Sequence, residues 1–463
     1  MKLIIVSNRL PVSPRRTNSG FDYKHSSGGL ATGLKSINTK IKFQWFGNLS
    51  SEGMSDSDKD VIRKDCNTKF NLHPIFIDPS LNEDSYNGFC NGILWPMLHY
   101  FSDDLVVTDK YYKAYLEYNE IFCKEILKET EDGDIIWVHD YHLTLLPKMI
   151  RDIKGDKVKL MFFLHTSFPS SISFNKLYCR REILEGILAS DVVSFHSYEY
   201  VANFMDCIVK NNLEGIFYDV SINAIPIGID PNIFIDCINT EDTQKEIEYF
   251  REKFKGKKII LGVDRSDYIK GIPHRIQGYS QFLDKYPEYR DTSVFLQIGV
   301  PSRTGVKEYK GYTDCINRLV SDTNSTIGGI EKTNIYLLND SVDFSTLCAL
   351  YYVSNVLLVT SLRDGMNLVA MEYISCNFDT KGVLILSEFT GVSSTLPGSL
   401  SINPWNTEEI CESIKTALEM DEEERIRRYE INNKNVSQFT SFRWAEENLS
   451  ILGSSWEEDI KKE

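Results

Sequence analysis

The sequence, 463 residues long, contains no apolar run approaching the roughly 18–20 residues that a membrane span requires. Its first apolar stretch, Leu3–Val6, stops at Ser7, Asn8 and Arg9, which reads as a buried strand and not as a secretory leader. Cysteine is thinly spread. None of the ten lies closer to another than 24 positions (Cys66 to Cys90), which excludes a metal ladder and a disulfide framework. Reduced thiols in a cytoplasmic protein are the expectation. Neither G-x-x-x-x-G-K-[ST] nor G-x-G-x-x-G occurs, so P-loop and dinucleotide readings lack their fingerprints. Cations are in deficit, 51 Lys and Arg against 66 Asp and Glu, for a net charge of −15. A field of that sign repels nucleic acid and anionic membranes. Small phosphorylated ligands stay possible wherever positive charge is concentrated locally.

What is present suits two large α/β domains: 42% hydrophobic and 25% charged residues over this length. Short apolar runs predict strands at 2–7, 43–46, 75–77, 135–139, 159–165, 192–195 and 223–227. A second set is predicted at 259–263, 294–298, 334–338, 356–360 and 383–386. Most are apolar throughout, as in parallel strands covered on both faces. Amphipathic segments such as 112–128, 198–210, 273–285 and 407–418 lie between them as helices. The polar stretch 230–258 follows Pro226-Ile-Gly-Ile-Asp-Pro231 and is the best domain boundary; 421–428 reads as a solvated acidic helix.

Ligands of open α/β sheets bind at the carboxyl ends of strands. Asn8 and Arg9 follow the first run, His139, Asp140 and His142 follow 135–138, and His165 follows 161–164. The second half supplies Asp264, Arg265, Lys270, Arg303, Arg363 and Asp364. Two such sheets facing each other would line a cleft with Arg and Lys on an otherwise acidic protein, an anion site. An arginine at a strand end is also a common surface residue. His139-Asp140-Tyr-His142 has no partner Cys/His pair, so structural histidines suit it better than metal ligands. Gly28-Gly29-Leu30-Ala31 opens a helical pattern whose backbone N–H groups could cradle a phosphate. Trp45, Tyr86, Trp95 and Tyr100 read as core or cleft-wall aromatics.

The stretch 355–373, NVLLVTSLRDGMNLVAMEY, concentrates the question. Gly365 permits a tight turn, after which residues 366–369 would offer N–H groups at a helix start to a diphosphate or sugar hydroxyl. Asp364 sits at the turn, and Glu372, about two turns up the helix, could accept hydrogen bonds from a ribose diol. A capping aspartate and a buried, salt-bridged glutamate explain the same residues equally well.

The order and length of the motifs resemble the trehalose-6-phosphate synthase family, retaining glycosyltransferases of family 20. They are SNRLP (7–11), GGLATGL (28–34), YNGF-x-N (86–91), WP-x-x-HY (95–100), WVHDYHL (137–143), FLHT-x-FPSS (163–171), GVDR-x-DYIKGIP (262–273), VPSR (300–303), SLRDGMNLV-x-x-EY (361–373), SEF (387–389) and INPW (402–405). The resemblance runs nearly the whole length. It implies a GT-B fold of two doubly wound Rossmann-like domains facing across a cleft. Residues 1–228 would form the acceptor domain, with a C-terminal helix in 440–463 packing back on it, and 229–439 the nucleotide-sugar domain. The implied reaction moves glucose from UDP-glucose to glucose 6-phosphate with retention, giving α,α-trehalose 6-phosphate and UDP without a metal or other cofactor.

By the same resemblance, Arg265 and Lys270 would neutralise the diphosphate and Glu372 would bind the ribose. Asp364 and the backbone of Met366, Asn367, Leu368 and Val369 would hold the glucose and phosphate, and Gly29 would approach the diphosphate from the first domain. His165 would contact the donor sugar near the reacting centre. Arg9, Tyr86, Trp95 and Arg303 would fix the acceptor's phosphate end, with Asp140 on the acceptor sugar. Asp140, His165, Arg265, Lys270 and Asp364 are the expected catalytic set. The spacing of Asp364 and Glu372 matches an acid-x₇-Glu signature of retaining GT-B donor sites.

The chain departs from the family at Ser167, Ile172 and Asn175, where Pro, Glu and Arg are common. Ser266 stands for a usual Leu, Met371 for Lys or an aromatic, and Asp340 for a basic residue, and the loop 322–332 lacks a usual Trp. These changes spare the residues assigned to substrates. No D-x-D-x-T phosphatase signature occurs, so a separate trehalose-6-phosphate phosphatase is the expected partner, and a homo-oligomer is compatible with the sequence. Two rival readings are a related synthase using another acceptor, such as glucosylglycerol-phosphate synthase, and a weakly active regulatory subunit of a trehalose synthase complex.

Overall fold

The computed structural model describes residues 1–18, 20–25, 33–34, 37, 41–102, 108–215, 220–302, 307–328 and 332–453. The chain divides into two compact units: Met1–Ile227 together with the segment from Ser441 onward, and Gly228–Thr440. Among the described residues no helix is long and apolar enough to cross a membrane.

The first unit contains β1 (Leu3–Arg9), β2 (Val12–Thr17), β3 (Gly20–His25), β4 (Gln44–Asn48), β5 (Leu72–Ile75), β6 (Ile135–His139), β7 (Lys159–Phe163), β8 (Val192–Phe195) and β9 (Ser221–Ala224). Seven of these form one sheet in the order β5-β4-β1-β6-β7-β8-β9. Every neighbour in it is parallel, and β1 pairs Leu3 with Ile135 on one side and Ile4 with Gln44 on the other. The second unit contains β10 (Lys258–Arg265), β11 (Ser293–Val300), β12 (Ile335–Leu338), β13 (Val356–Val359), β14 (Val383–Ser387) and β15 (Leu400–Ile402), all parallel in the order β12-β11-β10-β13-β14-β15. Counted by strand, each sheet begins 3-2-1-4-5-6, the doubly wound order. The order reverses beside the first strand, between β1 and β6 and between β10 and β13, and ligand crevices open at the carboxyl ends of such pairs.

Buried aliphatic strands explain why the sequence was readable here. Ile4, Ile5, Val6, Ile136 and Val138 are buried in the first sheet, and Ile260, Leu261, Val356, Leu357 and Leu358 in the second. Helix Ile272–Lys285 lays Ile272, Ile276, Tyr279 and Leu283 on the second sheet, the spacing of one helical face. Helix Tyr198–Lys210 is capped by Ser197, whose hydroxyl accepts the Tyr200 N–H at 3.4 Å.

Three features differ from the sequence expectation. The antiparallel hairpin β2–β3 carries Arg15, Arg16, Asp22 and Lys24 among its twelve residues, so its apolar signal is faint. The strand expected at 75–77 ends at Ile75 and starts at Leu72, because Leu72 pairs with Trp45 across β4. The boundary expected at the polar stretch 230–258 falls just ahead of it, between Ile227 and Gly228, and Pro231–Ile238 and Glu241–Lys253 are helices of the second unit. Gly228 passes so close to Phe439 that a Cβ there would lie 1.6 Å from the Phe439 carbonyl oxygen. Beyond Thr440, helix Ser441–Ser450 belongs to the first unit and buries Trp444 against Trp137, ring centroids 4.8 Å apart.

Candidate functional site

In the second unit the sheet delivers two loops to its switch point. After β10, the loop to Lys270 is fixed by backbone geometry. The Leu362 N–H donates to the Ile269 carbonyl at 2.6 Å, and Gly271, at φ 62°, would place a Cβ 2.2 Å from the Thr360 oxygen. No side chain fits there. After β13, Asp364 turns inward and its Oδ2 accepts from Lys270 Nζ at 2.5 Å, Asn367 Nδ2 at 3.0 Å and Ser361 Oγ at 3.1 Å. Lys270 and Asp364 are both buried. Arg265, beside them in sequence, is exposed. The turn is closed by the Gly391 N–H on the Asp364 carbonyl, with Gly391 so close to Gly365 that a Cβ would clash at 2.0 Å.

The helix that follows is Leu368–Cys376, with Asn367 at its cap in left-handed geometry, φ 67°. Met366 and Asn367 therefore precede the helix, and Glu372 lies little more than one turn into it, not two. The first-turn N–H groups at Leu368 and Val369 have no intrahelical acceptors, which makes this end electropositive. The Tyr351 hydroxyl donates to Glu372 Oε2 at 3.0 Å. Burial nonetheless pushes the Glu372 carboxyl up to about 7.

Beneath these groups lies a feature that sequence reasoning missed. Arg275, 0% exposed, donates to Asp264 Oδ2 at 2.6 Å, to Gln297 Oε1 at 3.0 Å and to Thr360 Oγ1 at 3.0 Å. Thr360 in turn donates to the Gly271 carbonyl at 3.1 Å. Asp264 is thus committed to a structural ion pair, and burial raises its carboxyl despite Arg275. Gly262 leaves room for the guanidinium, since a Cβ there would sit 2.3 Å from Nη1. The signal was available: Arg275 occupies the apolar face between Ile272 and Ile276.

The first unit builds its switch point from rings. Arg9 follows β1 and its guanidinium stacks 4.3 Å from the Tyr86 ring centroid; Tyr86 stacks on His142 at 5.7 Å and 12°. Tyr86 rides on an unusual π-wound segment, Glu83–Leu94, a winding that favours functional positions. Asp140, at φ 74°, donates its N–H to the Phe163 carbonyl at 2.8 Å while Oδ1 accepts the His165 N–H at 3.2 Å. A non-glycine residue in that region is strained, and the two hydrogen bonds hold it there. His142 Nδ1 stands 3.8 Å from Asp140 Oδ2. His165 lies beside His139, His196 and Trp444, with Nε2 3.1 Å from His139 Nδ1. Burial drives the His139 imidazole down to about 3 and the His165 imidazole well below its usual range. Trp95 is 6% exposed and packs on His99 and Tyr141, a wall and not an open contact.

Structure therefore gathers Arg9, Tyr86, Asp140 and His165 in one unit and Lys270, Asp364, Asn367 and Glu372 in the other. Gly29 and Arg303 lie outside the described residues.

Two doubly wound sheets, one with a buried Lys–Asp pair beside a helix N-terminus, define a two-domain α/β protein of the GT-B class. The chain belongs to glycosyltransferase family 20, whose pattern matches residues 1–453. It is 54% identical over 460 residues to the alpha,alpha-trehalose-phosphate synthase (UDP-forming) of Encephalitozoon cuniculi, covering 99% of this chain and 100% of that one. Among solved structures, an E. coli one described as trehalose-6-phosphate bound with UDP-2-fluoro glucose is similar with TM-score 0.86 and 28% identity, covering 100% of both chains. The alpha,alpha-trehalose-phosphate synthase (UDP-forming) of Burkholderia xenovorans in complex with glucose-6-phosphate is similar with TM-score 0.86 and 27% identity, covering 98% of this chain and 100% of that one. The N-terminal domain of Candida albicans trehalose-6-phosphate phosphatase is similar with TM-score 0.88 and 27% identity, covering 97% and 96%.

Proposed function

We infer that this protein transfers glucose from UDP-glucose to glucose 6-phosphate with retention, forming α,α-trehalose 6-phosphate and releasing UDP. The observation that carries the reading is the 54% identity to a synthase of that name along 99% of this chain. The buried Lys270–Asp364 pair, set beside a helix N-terminus, supports it.

In this reading the diphosphate of the donor lies on Lys270, Arg265 and the first-turn N–H groups after Asn367. Lys270 and Arg265 stabilise the negative charge that grows on UDP as the glucosyl C1–O bond breaks, the role a divalent cation has in other transferases. Arginine suits a forked phosphate contact and lysine a point contact. Asp364 compensates Lys270 until the donor arrives and then orients the glucose, while Glu372 takes the ribose hydroxyls. The acceptor hydroxyl attacks C1 from the face that UDP leaves, and the leaving phosphate takes its proton. Asp140 and Asp364 are orienting groups, not an acid/base pair. Arg9 and Tyr86, with Trp95 as a wall and Arg303 at the phosphate, receive the acceptor. The product then needs a separate phosphatase, in the cytoplasm, to become trehalose.

The test is to incubate the protein with UDP-glucose or GDP-glucose and glucose 6-phosphate, following nucleotide release by phosphorus NMR and the linkage by proton NMR. The expected result is UDP release matched by an α,α-linked product. Turnover with glycerol phosphate but not glucose 6-phosphate would replace the reading with that of a related synthase, and nucleotide release without product would sink it.

A further inference from the structure

His139 has no place in the reaction described so far, yet it is fully buried against a residue that does. Its Nδ1 lies 3.1 Å from His165 Nε2, and only one of the two can be the donor. Burial keeps both rings neutral, so each carries a single proton. The other nitrogen of His139, Nε2, meets no hydrogen-bond partner among the described residues. A buried N–H without an acceptor is rarer and costlier than an unused acceptor. The proton of His139 therefore belongs on Nδ1, where it is donated to His165 Nε2, and the proton of His165 is left on its own Nδ1. Aromatic packing restrains both rings. Trp137 and Trp444 pack on His139 with centroids at 4.8 and 5.9 Å, and Phe163 and Trp444 on His165 at 4.6 and 5.8 Å. Asp140 fixes the His165 backbone through its N–H.

We propose that His139 is a positioning residue that locks His165 as its Nδ1–H tautomer, so that the imidazole presents a hydrogen-bond donor to an oxygen of the donor sugar. Trp444, from helix Ser441–Ser450, packs against both rings, tilted 42° to His139 and 58° to His165, and restricts their rotation. Without that wiring the His165 proton is free to sit on Nε2, and Nδ1 then presents a lone pair that favours a sugar hydroxyl that donates. The inference rests on the reading that His165 meets the donor sugar.

Long-range proton–nitrogen correlation of ¹⁵N-histidine-labelled protein, with His165→Ala for assignment, reads the tautomer directly. His165 is expected neutral with its proton on Nδ1. In the same protein, His139→Asn keeps an N–H at the Nδ1 position and is expected to hold kcat within about threefold, whereas His139→Phe keeps the ring packing but not the donor and should lower kcat about ten- to a hundredfold. A His165 proton on Nε2 in the unaltered protein overturns the proposal whatever the variants do. Equal loss in both variants overturns it too, because only packing would then matter. If the tautomer is as stated but neither variant loses turnover, the wiring is real and the role of His165 at the sugar falls, and the proposal with it.

Discussion

The two units share a strand order and place their functional groups at the same topological point, yet they solve the problem of burying polarity in opposite ways. The first unit packs rings: His139, His142 and His165 lie against Tyr86, Tyr141, Phe163 and Trp444, and burial keeps His139 and His165 neutral. The second buries charge in pairs, Lys270 with Asp364 and Arg275 with Asp264. Fold alone does not choose between these. A parallel sheet supplies a crevice, and the residues that follow its strands decide whether the crevice suits hydroxyls or phosphates. In the proposed reading, imidazoles held neutral give directional hydrogen bonds to sugar oxygens, while a compensated lysine keeps a cation ready for a diphosphate without leaving it uncompensated beforehand.

The largest break in that contrast is Lys270→Ala. It removes the cation and leaves Asp364 without its partner where the proposed reading puts the diphosphate, so kcat should fall about a thousandfold, with the acceptor KM little changed. Steady-state kinetics with both substrates varied would show this, and near-normal kcat would detach Lys270 from the leaving group. Next comes Arg275→Met, which leaves Asp264 buried without its partner and should cost about 3 kcal/mol or more. Hydrogen exchange should then rise across β10–β14 while β1–β9 stay protected; uniform loosening would mean that the two units unfold together.

Smaller is the effect of pH through Glu372. The folded protein holds this proton up to about 7, whereas the ordinary value is 4.5. Between those values the folded state binds more protons than the unfolded one, so this group makes stability fall as pH rises through that window. In the proposed reading ribose hydroxyls donate to the ionised carboxylate, so the donor KM should fall about tenfold between pH 6 and pH 8. Glu372→Gln should flatten both trends, and an unchanged KM profile in that variant would assign the titration to another group.

Much of the site was readable because its residues follow apolar strands. Arg9, Asp140, His165, Lys270 and Asp364 could each be located from the run that precedes them. Arg275 was not singled out, since a charge in a helix is ordinarily solvated and its partners Asp264, Gln297 and Thr360 lie far apart in sequence. The position of Glu372 relative to the helix start was misjudged because the turn around Asn367 takes up residues that local pattern assigns to the helix. Trp444 gave no signal, being brought to His139 and His165 by a return of the chain to the first unit.

The sequence by itself determined the alternation of strands and helices, the deficit of positive charge with its local exceptions, and the family. Those properties depend on which residues are apolar and which motifs follow in order. Tertiary structure alone decided which charges are paired. Lys270 and Asp364, 94 residues apart, share a 2.5 Å hydrogen bond, and His139 and His165, 26 apart, share one of 3.1 Å. Desolvation and partner distance set the protonation of such groups, and neither exists until the chain has folded.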